Sequence, residues 1–200
     1  MGILKGAPSV TRYRIADAVP EEYTEEFIGD RLKKYAFSDI ENSSEESSLG
    51  WAELMDTLSW DFAEGSYRIG PNYAFTMRQD QRKLPTKILN RYYMIREAQI
   101  AEKTGRKPNS VKRKELKEAL RLELLRRCLL TTDVWDVVWL TGRQELWLAG
   151  AGEKLRALFE ELWSRTFGLS LRMLVPVTIG LELLDEDGRL ALMNLKPSLF

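Results

Sequence analysis

The chain contains no histidine, which removes imidazole general bases, Ser-His-Asp and Cys-His nucleophilic couples, and every His-containing zinc or non-haem iron site. Its single cysteine, Cys128, cannot close an internal disulfide. With no basic-then-apolar leader at the start, this predicts a protein of the reducing cytoplasm. No uncharged apolar run approaches the roughly 20 residues that a bilayer span requires, so the expectation is a soluble chain with no membrane partner. An excess of one charge sign is missing too. Thirty Lys+Arg face thirty Asp+Glu for a formal net charge of zero, and whole-chain charge selects neither a nucleic-acid binder nor an enzyme of acidic substrates. What remains is 200 residues, 44% hydrophobic and 30% charged. That is enough for one sizeable core or two small ones, and it excludes collagen, coiled-coil and disordered classes.

The neutral total hides a strong asymmetry. Residues 1–77 hold seven basic and fourteen acidic side chains, residues 78–127 sixteen and six, and residues 128–200 seven and ten. A basic module therefore lies between two acidic flanks, a distribution that matters for polyanion binding. The organisation expected is an N-terminal part of an α+β domain over 1–77, a basic helical module over 78–130, and the C-terminal part of the same domain over 131–200.

Periodicity supplies the elements. Ser9 to Ile15 alternates as a half-buried strand. Pro20-Glu21-Glu22 opens a short amphipathic helix carrying Tyr23, Phe27, Ile28, Leu32, Tyr35 and Ala36. The polar stretch Ser38 to Ser48 reads as an acidic loop leading into a Leu49-Gly50-Trp51 loop. Tyr67-Arg68-Ile69 and Tyr73 to Met77 read as strands around a Gly70-Pro71-Asn72 turn. From Pro85 the period becomes helical, with Ile88, Leu89, Tyr92, Ile95, Ala98 and Gln99 on one face until Thr104-Gly105. Ser110 is the expected cap of a second helix whose Leu116, Leu120, Leu124 and Cys128 recur every four residues, joined by Ala119 and Leu125. Val134 to Leu140 and Glu145 to Ala149 form a hairpin. Glu153 to Phe167 form an amphipathic helix with a broad apolar stripe, and Leu171 to Ile179 returns to β character, interrupted by Pro176, which favours an edge position or a strand end. Strands on both sides of a helical insertion imply α+β, with antiparallel or mixed sheet elements, packed helices and an inserted basic helical hairpin.

Lys103, Arg106, Lys107, Lys112, Arg113 and Lys114 fall within twelve residues, and the run continues to Lys117, Arg121, Arg126 and Arg127. Cations on a shared surface bind a polyanion by releasing its counterions, with steep salt dependence and little sequence preference. Lys114, Lys117 and Arg121 share a helix face, whereas Lys103, Arg106 and Lys107 belong to the preceding connection. A solvated hairpin with incidental lysines is the plain alternative. Gly105-Arg106-Lys107 lacks the glycine spacing of a phosphate-binding P-loop. Asp185-Glu186-Asp187-Gly188 reads as a turn, and only as a remote metal-binding nuclease site. Glu21, Glu22, Glu25 and Glu26 read as helix-start carboxylates. Trp139, Trp147 and Trp163 are expected in the core. Trp51 and Trp60 border loops, where stacking on a base is conceivable, and Cys128 reads as an inert core thiol.

The order of several segments resembles the RdgC family of bacterial recombination-associated proteins. The residues that carry it are Val10-Thr11-Arg12-Tyr13-Arg14, Leu32 to Phe37, Leu49-Gly50-Trp51, Lys83-Leu84-Pro85, Glu115 to Glu118, Leu124-Leu125, Val137 to Leu140, Phe167 to Ser170 and Val175-Pro176-Val177. The resemblance spans most of the chain. It implies a sequence-nonspecific DNA-binding protein that forms ring-shaped dimers around duplex DNA and restrains the RecA recombinase. The basic helices would then line a central hole. The sequence departs from that pattern by stopping early, by placing Leu129-Leu130 where the family often presents an aromatic dimer contact, and by having only Lys196 between Leu190 and Phe200. These departures predict a member that binds DNA without encircling it.

The expectation is therefore a non-enzymatic, nucleoid-associated homodimer without cofactor or metal. Lys103, Arg106, Lys107, Lys112, Arg113, Lys114, Lys117 and Arg121 would hold the phosphate backbone of duplex DNA, and single-stranded DNA is a second candidate. A protein-interaction module for an acidic partner is the first alternative, and a metal-dependent nuclease using Asp185 and Asp187 the second.

Overall fold

The computed structural model of the chain describes residue 6 and residues 9–43, 45–63, 65–106 and 108–195. It has two compact units, one drawn from Met1–Phe37, Gly50–Arg78 and Val134–Phe200, the other from Ser38–Leu49 and Gln79–Asp133. The elements are, in chain order, β1 (Val10–Ile15), α1 (Glu25–Lys34), β2 (Ser47–Ala52), β3 (Arg68–Ile69), β4 (Asn72–Arg82), α2 (Thr86–Thr104), α3 (Ser110–Leu125), β5 (Leu130–Leu140), β6 (Glu145–Ala149), α4 (Glu153–Phe167), β7 (Leu171–Met173), α5 (Pro176–Leu183) and α6 (Glu186–Met193). The fold is α+β, with α2 and α3 inserted between β4 and β5. The strands order as β2-β4-β5-β6-β1-β7, with β3 paired to β4. The β1–β6, β1–β7, β3–β4 and β5–β6 pairs are antiparallel.

In the first unit, alternation along β1 buries Thr11, Tyr13 and Ile15 and turns Arg12 and Arg14 to the other face. Val10 is 40% exposed, so the buried phase of this strand is the one beginning at Thr11. Opposite Tyr13 on β6 lies Leu146, likewise buried. α4 covers that face with Leu155, Phe159, Leu162, Trp163 and Phe167. Ring contacts tie α4 to the sheet, Tyr13 to Phe159 at 5.5 Å and Trp139 to Trp163 at 5.1 Å between centroids, while Trp51 to Phe75 at 4.9 Å joins β2 to β4 within it. Each such pair is worth about 0.5–1.5 kcal/mol beyond the burial of its area. The Trp51 indole N–H finds a partner in the core, the Thr166 hydroxyl at 2.8 Å.

Several elements differ from their sequence expectation for identifiable reasons. α1 begins after Thr24, whose hydroxyl accepts the Phe27 N–H at 3.3 Å, so Pro20-Glu21-Glu22 precede the helix. Leu49-Gly50-Trp51 lies within β2 rather than in a loop, and Trp51 is fully buried. Gly50 makes this possible: a Cβ there would stand 2.5 Å from the Phe37 N and Cα, where the chain after α1 bridges Trp51. After β7 the chain turns helical, because Pro176 occupies the first helical position of α5, where its missing N–H costs nothing. Asp185 caps α6 by accepting the Gly188 N–H at 2.9 Å, so Asp185-Glu186-Asp187-Gly188 is a helix start and not a hairpin turn. Trp147 is half-buried on the sheet face opposite Leu146 and Leu148, outside the aromatic core that holds Trp139 and Trp163.

Candidate nucleic-acid interface

The second unit is built around the α2–α3 hairpin. Gly105 at the end of α2 has a left-handed backbone, φ 70°, which a glycine adopts without steric cost. Asn109, not Ser110, caps α3 by accepting the Lys112 N–H at 2.9 Å. α3 buries Leu120, Leu124 and Leu125, whereas α2 buries no residue at all. The half-buried positions of α2 are Leu89, Tyr93, Glu97, Ile100 and Ala101, and Ile88, Tyr92 and Ile95 of the expected apolar face are 43%, 45% and 47% exposed. A single neighbouring helix covers only a narrow stripe, which explains the rotation. Ion pairs of Arg113 with Glu97 at 3.0 Å and Arg96 with Glu123 at 3.6 Å join the helices. Tyr93 donates to Glu97 at 3.1 Å, and burial, followed by this carboxylate, raises the Tyr93 pKa.

The eight candidate phosphate contacts divide into three groups. Lys103, Arg106, Lys112, Lys114 and Lys117 are exposed and form no ion pair among the described residues. Arg113 is engaged by Glu97. Arg121 is engaged by Glu46 at 2.6 Å and Glu118 at 3.3 Å, and the hydrogen bond and charge of Glu46 raise its pKa further. Lys107 lies outside the described residues. Arg106 and Lys112 line a groove of about 590 Å³ at the hairpin connection, together with Ile100, Thr104, Pro108 and Asn109.

Two further cations, Lys87 and Arg91, are exposed on α2 without an ion pair among the described residues. Their signal was present as i, i+4 spacing inside the basic segment, but they lie outside the densest run. Arg82 belongs to the framework instead. Its guanidinium donates to the carbonyls of Ile40 at 2.9 Å, Glu41 at 2.8 Å and Cys128 at 3.0 Å, pinning the acidic 38–49 segment. Cys128 is accordingly half-buried in the turn after α3 rather than in an apolar core. Among the described residues no group of three or more His, Cys, Asp or Glu side chains is placed to hold a metal ion, and no helix is long and apolar enough to cross a membrane.

An antiparallel sheet backed by helices and interrupted by a cationic helical hairpin defines an α+β protein. The family model described as "Putative exonuclease, RdgC" matches residues 9–174, and the chain belongs to the RdgC family. It is 34% identical over 115 residues to the recombination-associated protein RdgC of Cupriavidus necator, and 31% identical over 115 residues to that of Cupriavidus pinatubonensis. Each match covers 54% of this chain and 36% of the relative, so it spans about a third of the curated relatives' length. Both relatives carry the name recombination-associated protein.

Proposed function

We propose that the α2–α3 hairpin holds the DNA phosphate backbone without reading base sequence, and that a homodimer of the chain occupies duplex DNA and limits access of the RecA recombinase. The observation carrying this reading is the set of five exposed cations, Lys103, Arg106, Lys112, Lys114 and Lys117, that no carboxylate among the described residues neutralises. Lysine and arginine contacts to phosphate fix a protein on a duplex but carry no sequence information. Two hairpins in a dimer would gain avidity by effective concentration, and occupancy requires no catalytic step.

The expected outcome is equal affinity for unrelated duplexes of the same length in metal-free buffer, with the DNA intact after prolonged incubation with Mg²⁺ or Mn²⁺. A preference for one sequence by orders of magnitude would refute the backbone reading, and cleavage would establish an enzyme instead. The exposed Ile88, Tyr92 and Ile95 of α2 favour a second reading, docking on an acidic protein partner. That reading predicts no DNA binding even at low salt.

A further inference from the structure

A groove of about 430 Å³ lies at the end of the sheet where the β3–β4 and β5–β6 turns meet. Pro71, Leu140 and the half-buried Trp147 give it apolar walls, and Asn72 and Arg143 supply the polar groups. The Thr141 hydroxyl donates to the Pro71 carbonyl at 2.7 Å, tying one turn to the other so that the groove is formed in advance of any ligand.

Trp147 differs from the tryptophans at 51, 139 and 163, which interlock in the core. It makes no ring contact with another aromatic among the described residues. Its neighbours are polar: the Arg12 guanidinium stands 6.0 Å from its ring centroid, and its indole N–H points to Glu145 Oε2 at 3.5 Å. Both contacts hold the ring in place. Arg143 is exposed and makes no ion pair, the Asn72 amide makes no side-chain hydrogen bond, and the groove has no acidic lining residue, all among the described residues. A flat aromatic wall, an amide able to donate and accept, and an unneutralised guanidinium match a nucleobase with its phosphate. Duplex DNA keeps its bases stacked inside, so the fitting occupant is a single strand.

We infer that this groove is a second nucleic-acid site, in which Trp147 stacks an unpaired base of single-stranded DNA, Asn72 meets the base edge and Arg143 holds the adjoining phosphate. The site lies wholly in the first unit and does not depend on the hairpin binding duplex.

The test uses the full chain and fluorescence anisotropy of three labelled DNAs: an oligothymidine, an abasic oligonucleotide of equal length and a duplex. Trp147→Ala weakens oligothymidine binding on the order of tenfold, the scale of one lost base stack, and leaves abasic and duplex affinities unchanged. Trp147→Phe, which keeps a ring, retains most of the affinity and guards against a folding defect in the alanine variant. Arg143→Gln lowers oligothymidine affinity and its salt dependence. Unchanged oligothymidine binding by Trp147→Ala, an equal loss on the abasic strand, or a wild-type chain that binds duplex but not oligothymidine would each overturn the inference. The last result would leave the hairpin's duplex binding standing.

Discussion

Lys117 and Arg121 lie one helical turn apart on α3, yet only Lys117 is free to meet a phosphate without first losing a carboxylate. The run of cations is visible in the sequence, but its neutralisation is not. Glu46 is 75 positions from Arg121, and Glu97 lies on the other helix from Arg113. Only the folded chain brings these charges together, so residue counting overstates the cations available to a ligand. Glu46 then becomes a competitor for phosphate. Glu46→Gln removes the nearer of the two carboxylates on Arg121, leaving Glu118 at 3.3 Å, and is expected to tighten duplex binding by roughly twofold to tenfold at low salt, with the gain shrinking as salt screens it. A salt titration of wild type and variant measures this directly, and identical curves would show that Arg121 lies outside the interface.

At the scale of elements, Glu145 on β6 joins strand to strand and strand to helix. It receives Arg12 at 3.0 Å and Arg14 at 3.3 Å from β1, while Arg14 also reaches Glu182 of α5 at 3.2 Å. Burial alone would raise the Glu145 pKa, but the hydrogen bonds and charges of Arg12, Trp147 and Arg14 outweigh it and hold the carboxyl below its usual range. A carboxyl depressed in the folded state stabilises above its unfolded pKa, about 4.3, and that contribution is lost as pH falls through the folded value. Glu145→Gln should therefore cost about 1–3 kcal/mol near pH 7, and its deficit relative to wild type should narrow in acid. Denaturant unfolding at pH 7 and below pH 4 checks this, and a deficit that does not change with pH would contradict it.

Elements with a sustained period were legible from sequence. α3, α4 and the β5–β6 hairpin show their buried stripe or alternation directly, and the inserted hairpin follows from strands on either side of it. The elements misread are those in which a local signal has two uses. Pro176 ends a strand or starts a helix, Asp185 begins a turn or caps a helix, and Gly50 looks like a loop residue until Phe37 is found against it. Trp147 looks like core because tryptophan usually is, and only strand parity assigns it to the opposite face.

For the whole molecule, zero net charge is compatible with polyanion binding because the charge is partitioned along the chain. The cations concentrate in one compact unit, whose acidic 38–49 segment neutralises Arg121, while the other unit carries the aromatic core and the Trp147 groove. In the proposed function, the hairpin is the part of the chain that would act on DNA.

The most direct measurement is the slope of log affinity against log salt for duplex DNA, for wild type and for a variant with Lys112, Lys114 and Lys117 replaced by glutamine. Each phosphate contact contributes about 0.9 to that slope. Phosphate holding by the hairpin predicts a wild-type slope steep enough for several contacts, and a variant that stays folded, binds more weakly and has a slope shallower by about 3. A folded variant with the affinity and slope of wild type would contradict it.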